Sequence, residues 1–400
     1  MNCVFAVRML ALVILVVLPL GAQDTPAGAR PTQGAVPPVV KNTTRALGAL
    51  FSGPVHLMVG GVAAGGGLAG GLGIDIATSE PWVAKIKALY SIREYWVVET
   101  SARYAGRRAM VEGYGRARDL PQVAFYGLGA ASDIDDRTNF AMREDLVGLN
   151  ASFRLAPWVT VGGRAEQLWV DVNAGRAKNR RSIEQVFDEQ DAPGLTQQPR
   201  FGRYQGSLEL GIPASVGEAF FQGLKTRATY SRWVDHELDR FSFTRVDFEA
   251  QQRFAVLRPK HRLTLHALVS TSVADAGQEV PFYLQRTLGG RAQLRSVHED
   301  LLGSDGTSAT LRGYDAFRFR GRHLLLMQAE YRIPIWTFFD ATVFYEAGKV
   351  TDQRAQLDVS NLKRNYGFSV SAMRGASTAA RVDIGFGGDG LQFLFTIGKK

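Results

Sequence analysis

The sequence predicts an all-β fold, a transmembrane antiparallel β-barrel of about 16 strands. Three observations carry this. Short segments along most of the chain alternate apolar and polar residues at period two. The connections between them are short at one end and long at the other. The first residues direct the chain out of the cytoplasm.

The clearest pair of segments runs from Arg322 to Val350, with Ile335 to Thr337 between them. In the first, Leu325, Met327, Ala329, Tyr331 and Ile333 share one face, while Gln328, Glu330 and Arg332 share the other. In the second, Phe339, Ala341, Val343, Tyr345 and Ala347 oppose Asp340, Thr342 and Glu346. A soluble sheet buries its apolar face and wets the polar one. A membrane barrel inverts this, with lipid outside and a polar lumen inside. Alternation alone fits both cases, so the rest of the chain has to decide.

The N-terminus decides the compartment. Arg8 precedes the apolar run Met9 to Leu20, and Gly21-Ala22-Gln23 follows. This is the layout of a cleaved signal peptide, assigned to residues 1–22. The apolar run is too short to span a bilayer, which takes about 20 residues. Residues 23–64, beginning with a Pro-, Ala-, Gly- and Thr-rich stretch, read as a flexible periplasmic leader, and residues 65–400 as the barrel domain. The single cysteine, Cys3, lies within the signal, so the mature chain has no thiol for a disulfide or a metal. Aromatics at 10%, 43 glycines and dispersed charges suit a barrel in the bacterial outer membrane, in contact with its lipid and lipopolysaccharide. The net charge of +9 is spread along the chain rather than gathered in a stripe, which argues against a nucleic-acid partner.

In order, strands are expected near 65–77, 82–91, 94–104, 108–117, 121–130, 140–155, 158–171, 201–212, 224–234, 239–255, 259–272, 322–334, 338–350, 365–374, 377–387 and 391–398. Gaps after even-numbered strands are mostly two or three residues, as at 156–157, 335–337 and 375–376; the gap at 213–223 is longer. Gaps after odd-numbered strands include the long ones, at 131–139, 172–200, 273–321 and 351–364. Short periplasmic turns and long outer loops produce this parity. The strand around Arg245 to Arg253 reads the same way, with Arg245, Asp247, Glu249, Gln251 and Arg253 on one face and Val246, Phe248 and Ala250 on the other. In the last strand Leu391, Phe393, Phe395 and Ile397 face outward.

No hydrolase or metalloprotease motif is present, and the six histidines show no metal spacing. His298-Glu299-Asp300 reads as solvated loop residues. Gly65 to Gly70 satisfies G-x-G-x-x-G but lacks the helical pattern a dinucleotide site needs, so it reads as a glycine-rich first strand. The expectation is a protein with no catalytic activity and no cofactor.

The connection at 273–321 is about 50 residues, too long for an idle loop in a compact domain. It contains Leu288-Gly289-Gly290 and Leu311-Arg312-Gly313-Tyr314, and Phe344-Tyr345-Glu346-Ala347-Gly348 follows in a later strand. Ala329-Glu330-Tyr331-Arg332-Ile333-Pro334 and Arg381-Val382-Asp383 complete the set, with Phe125-Tyr126-Gly127-Leu128-Gly129 a weaker match upstream. Over about Leu288 to Lys400 the chain resembles the bacterial surface antigen family, the barrel of BamA- and TamA-type outer-membrane assembly factors and of two-partner secretion transporters. Nothing in it resembles that family's periplasmic POTRA repeats.

The resemblance implies that the long sixth outer loop folds back into the lumen, with Leu311, Arg312, Gly313 and Tyr314 at its tip. A tight inward tip is expected to need Gly313, as the residue free to take positive φ. It makes Phe344 and Gly348 the strand motif and places Glu346 where the family carries the aspartate that pairs with the tip arginine. Asp383 is a second acceptor, on the polar face of its own strand. An arginine in a polar lumen offers a planar fork that a carboxylate can accept. The implied function is assistance in inserting or translocating protein or lipid, with nascent outer-membrane or secreted proteins as partners. Two alternatives stand beside it: a small-solute channel plugged by the long loop, and a hydrolase embedded in a barrel.

Overall fold

The computed structural model describes residues 54–76, 81–212, 221–257, 260–290, 310–374 and 377–397. The signal peptide, most of the leader and the His298-Glu299-Asp300 stretch lie outside them. The strands are β1 (Val55–Gly60), β2 (Ala69–Ile76), β3 (Trp82–Ser91), β4 (Trp96–Ala105), β5 (Ala109–Phe125), β6 (Thr138–Ala156), β7 (Val159–Ala174), β8 (Phe201–Ile212) and β9 (Phe221–Asp235). They continue as β10 (Phe243–Ala255), β11 (Arg262–Ala274), β12 (Arg286–Leu288), β13 (Phe319–Gly321), β14 (His323–Trp336), β15 (Phe339–Thr351), β16 (Lys363–Arg374), β17 (Ser377–Gly387) and β18 (Gly390–Ile397). Sixteen of them form one antiparallel meander in chain order, with β11 passing directly to β14. β12 and β13 pair with each other inside the long loop. The two ends of the meander, β1 and β18, touch, with no ladder between them among the described residues.

Side-chain exposure is inverted relative to a soluble sheet. On β10, Arg245, Asp247, Glu249 and Gln251 are buried, while Phe248 on the other face is 51% exposed. On β15, Thr342 and Glu346 are buried, while Val343 is 54% exposed beside the exposed Tyr345. Tyr366, Phe368 and Val370 continue the apolar surface on β16, and Leu391, Phe393 and Phe395 on β18. Polar groups inside and bare aromatics outside are stable only where the outer solvent is hydrocarbon.

The strand total matches the expectation through two compensating differences. The structure adds β1 at Val55–Gly60, within the stretch read as leader. At six residues it is too short and too glycine-flanked to show a clear period. It also joins the expected strands at 108–117 and 121–130 into the single 17-residue β5. Pro121 looks like a turn residue, but it sits at an irregularity between Leu120 and Val123, where a missing N–H costs the ladder nothing. The turn at 92–95 therefore moves to the outer side, and parity is restored from β6 onward. Gly65 and Gly67 belong to the β1–β2 turn, both at positive φ, rather than to a strand.

The outer loops fold inward and pack on one another. Phe282 meets Phe125 and Phe140 at ring-centroid distances of 5.2 and 5.0 Å, and Trp233 stacks on Phe243 at 5.4 Å. Ile183 from the 175–200 loop and Phe201 complete this buried cluster. It is a soluble-type apolar core seated at the outer end of a polar lumen. Arg320 is enclosed by Phe125, Phe140 and Phe282, with its Nη1 donating to the Phe282 carbonyl at 2.8 Å.

The inverted faces can be tested on β15. Val343→Arg should lower unfolding stability by about 2–4 kcal/mol, the cost of a midplane cation on a barrel's lipid face. Val343→Leu should be close to neutral. Urea unfolding in liposomes measures both, and equal stability of the two variants would mean that the face is not lipid-exposed.

Candidate functional site

The site forms where four neighbouring strands present their lumen faces to the returning loop. Register places Gln328, Glu346 and Asn365 side by side on β14, β15 and β16. One step toward the periplasm lie Glu330, Phe344, Gly367 and Gly385, the last on β17. Below them are Thr342, Ser369 and Asp383. Period-two alternation aims each of these residues into the lumen.

Arg312 enters this surface from the loop and has no exposed area. Its guanidinium carbon lies 3.6 Å from the centroid of the Phe344 ring, so the ring is its floor. Glu346 grips it at two points: the Arg312 main-chain N–H donates to Oε2 at 2.6 Å and Nε donates to Oε1 at 2.9 Å. Nη1 donates to Asp383 Oδ1 at 3.1 Å and lies 2.6 Å from Glu330 Oε1. Nη2 is 2.8 Å from Glu346 Oε1, outside hydrogen-bond geometry. A simple forked pair is therefore not what forms. The longer glutamate reaches past the side chain to the backbone and holds the loop as well as the charge.

Each carboxylate is held in turn. Glu346 accepts from Gln328 Nε2 at 2.7 Å and Asn365 Nδ2 at 2.9 Å. Asp383 accepts from Ser369 Oγ at 2.6 Å and Arg381 Nε at 2.8 Å. Arg381 also donates to Glu330 at 3.1 Å. The centre thus contains three acids and two guanidiniums, linked by hydrogen bonds across four strands. Sequence reasoning placed Glu330 on the lumen face but not at Arg312. It did not identify Arg381, Gln328, Asn365 or Ser369 as members. Only the relative register of the strands and the loop brings them together.

The tip depends on small residues for a different reason from the expected one. Gly313 does not adopt positive φ; the left-handed residue is Leu311, at φ 59°. Gly313 is needed for space. A Cβ there would lie 2.6 Å from Asn365 Cβ and 2.8 Å from the Gly387 nitrogen. A Cβ on Gly385 would lie 2.7 Å from the Arg312 carbonyl oxygen. The tip backbone therefore rests directly on the wall, on Gly385 and Gly387 of β17. Gly348 serves the loop's stem, since a Cβ there would come within 3.1 Å of Leu288. Tyr314 is buried, packs edge-on to Phe319 at 5.3 Å and donates to the Arg364 carbonyl at 3.1 Å.

Beyond the tip, the loop is fastened to the last hairpin and to the 126–137 loop. Arg318 Nε donates to Asp389 at 3.3 Å, and its terminal nitrogens reach the Ser132 hydroxyl at 2.9 Å and the Ser132 carbonyl at 2.8 Å. Asp315 accepts from Arg137 at 2.7 Å, Tyr126 at 3.0 Å and Gln392 at 3.1 Å. Among the described residues no group of three or more His, Cys, Asp or Glu side chains is placed to hold a metal ion.

A wall of this topology, with a loop returned into its lumen, is a transmembrane antiparallel β-barrel, a fold that it shares with solved barrel structures. BamA from Haemophilus ducreyi lacking POTRA domains 1–3 superposes with a TM-score of 0.58 at 12% identity, covering 92% of this chain and 80% of that one. CdiB from Acinetobacter baumannii superposes at 0.53 with 11% identity, over 86% of this chain and 58% of that one. OpdO of Pseudomonas aeruginosa gives 0.40 at 11% identity, over 86% of this chain and 84% of that one. No protein-family model and no curated protein sequence matches the chain.

Arg312→Ala would leave Glu330 and Asp383 with Arg381 alone and Glu346 with only the neutral Gln328 and Asn365, a type of loss that typically costs about 3–5 kcal/mol. The barrel should persist, seen as a heat-dependent shift in gel mobility, while the loop becomes cleavable by external protease. Gly313→Ala should release the loop similarly with no change in charge. Resistance equal to wild type in both variants would mean that the tip is not held by these contacts.

Proposed function

We propose that this chain is an integral protein of the bacterial outer membrane that assists the insertion or translocation of protein or lipid. The observation that carries the reading is the Arg312 centre, which pins an in-folded loop across four strands of a BamA-type wall. Such a lumen is built to hold a loop in one arrangement rather than to pass solute. The partners would be nascent outer-membrane or secreted proteins, presented in a membrane of lipid and lipopolysaccharide. No catalytic role is assigned. A small-solute channel would need a continuous aqueous path, and here the apolar cluster around Phe125, Phe282 and Trp233 occupies the outer end. That cluster makes the channel the weaker alternative.

The test is reconstitution. Liposomes containing the purified barrel should take up a urea-unfolded outer-membrane protein several-fold faster than protein-free liposomes, and Arg312→Ala should lose most of that gain. Planar-bilayer recordings on the same preparation should show no steady, ion-selective conductance. A stable conductance without accelerated insertion would overturn the reading in favour of the channel.

A further inference from the structure

A second site lies at the outer end of the wall, away from Arg312. β5 and β6 rise beyond β4, whose pairing with β5 ends at Trp96 opposite Asp119. Above that step is a cavity of about 410 Å³. Its lining includes Arg93, Arg137, Lys178 and Arg180, together with Asn139 and Phe317, and no acidic side chain among the described residues. These side chains come from four different outer connections and from the top of β6, so the cavity exists only in the assembled barrel.

The backbone that carries Lys178 and Arg180 is held in place, so both exposed side chains start from fixed points beside the cavity. Asn139 anchors the 177–181 turn: its main-chain N–H and its Nδ2 both donate to the Arg181 carbonyl, at 3.0 and 2.9 Å, and its Oδ1 accepts from the Ala177 N–H at 3.1 Å. Ser182 Oγ accepts from the Gly175 N–H at 2.8 Å and closes the turn. Arg93 Nη1 donates to the Gly65 carbonyl at 2.7 Å, a neutral acceptor, and Arg93 has no ion pair among the described residues. The Lys178 and Arg180 side chains have no ion pair or hydrogen bond among the described residues. Of the four, only Arg137 has a carboxylate, Asp315. Like charges gathered around one hollow repel one another, and a bound anion relieves that repulsion.

The level of the cavity points to the kind of anion. Tyr90 and Ile92, at the turn beside it, are 59% and 77% exposed. Both are apolar surface that belongs in the lipid boundary. Cations directly above such residues stand where the outer leaflet carries its headgroups.

We propose that this cavity is a binding site for a phosphate group, with Lys178, Arg180 and Arg93 as its ligands and Asn139 as the positioning residue of the basic turn. The phosphate is that of an outer-leaflet lipid headgroup or a free phosphate ion. Through Arg137 and Asp315 the site touches the same loop whose tip carries Arg312, so an occupant would add to the loop's fastening.

Native mass spectrometry of the purified barrel in dodecyl maltoside micelles doped with diphosphoryl lipid A tests this, with inorganic phosphate as the second probe. Wild type should retain one lipid A at low salt and progressively less as salt rises. The double variant Lys178→Gln/Arg180→Gln should lose about tenfold or more in apparent affinity, as expected for removing two charge-assisted contacts. Arg176→Gln is the control, because Arg176 lies in the same loop but pairs with Asp119 at 2.9 Å. It should bind as wild type does. Displacement of lipid A by millimolar inorganic phosphate would identify a free-ion site, and retention against it a headgroup site. Heat-modifiable gel mobility checks that each variant is folded. The proposal fails if folded wild type retains neither probe, or if the double variant binds both as well as wild type.

Discussion

The upper lumen is organised around one buried cation. Arg312 is fully buried, and its charge is balanced by Glu346, Glu330 and Asp383 on three different strands. An arginine buried without such partners would cost several kcal/mol, so the loop can sit in the lumen only if all three strands keep their register. The dependence is mutual. Three carboxylates converging on one lumen wall would repel each other without the two guanidiniums that separate them. Loop and wall therefore specify each other, and neither arrangement is comfortable alone.

Charge sets the position, while the absence of side chains sets the distance. Phe344 can lie flat beneath the guanidinium because its neighbour across the ladder is Gly367. The tip backbone can touch the wall because Gly385 and Gly387 leave it bare. An alanine at Gly385 or Gly387 would overlap the tip backbone, so the tip would have to shift off the wall that positions Arg312. Glycine weakens a strand interior, and this wall accepts that loss at the positions where the loop lands.

Much of this was legible in the residues, and what was not has a physical reason. The faces of β10, β14 and β15 were legible because period two is a local property, and the exposures of Phe248, Val343 and Glu346 agree with it. Arg312 and Glu346 were singled out by the resemblance of their loop and strand motifs to the surface antigen family. β1 was not found, because six residues beside a glycine-dense turn carry too little pattern. β5 was split because Pro121 reads locally as a turn, whereas the bulge that tolerates it is a property of the pair. Glu330 and Arg381 were missed at the centre because no local signal says which lumen residues a distant loop will meet. The positive φ at Leu311 was misassigned to Gly313 for a similar reason. Composition suggests glycine for a strained position, but at this tip glycine was needed for clearance and the aliphatic residue carries the strain.

The fastening is uneven around the barrel, and this follows from the topology. The loop's stem packs into the apolar cluster that draws on β5 to β10, and its tip lies on β14 to β17. Asp389 and Gln392 tie the same loop to the last hairpin. The loop thus works as a strut between two sectors of the wall, and it stiffens the side that ends in β18. The other edge of the sheet is β1, six residues long and held by its ladder to β2. Opening is easiest where the fewest buried contacts and backbone hydrogen bonds must be broken. By that criterion the compliant part of the wall is the first hairpin, while the loop's contacts to Asp383, Asp389 and Gln392 brace the last one.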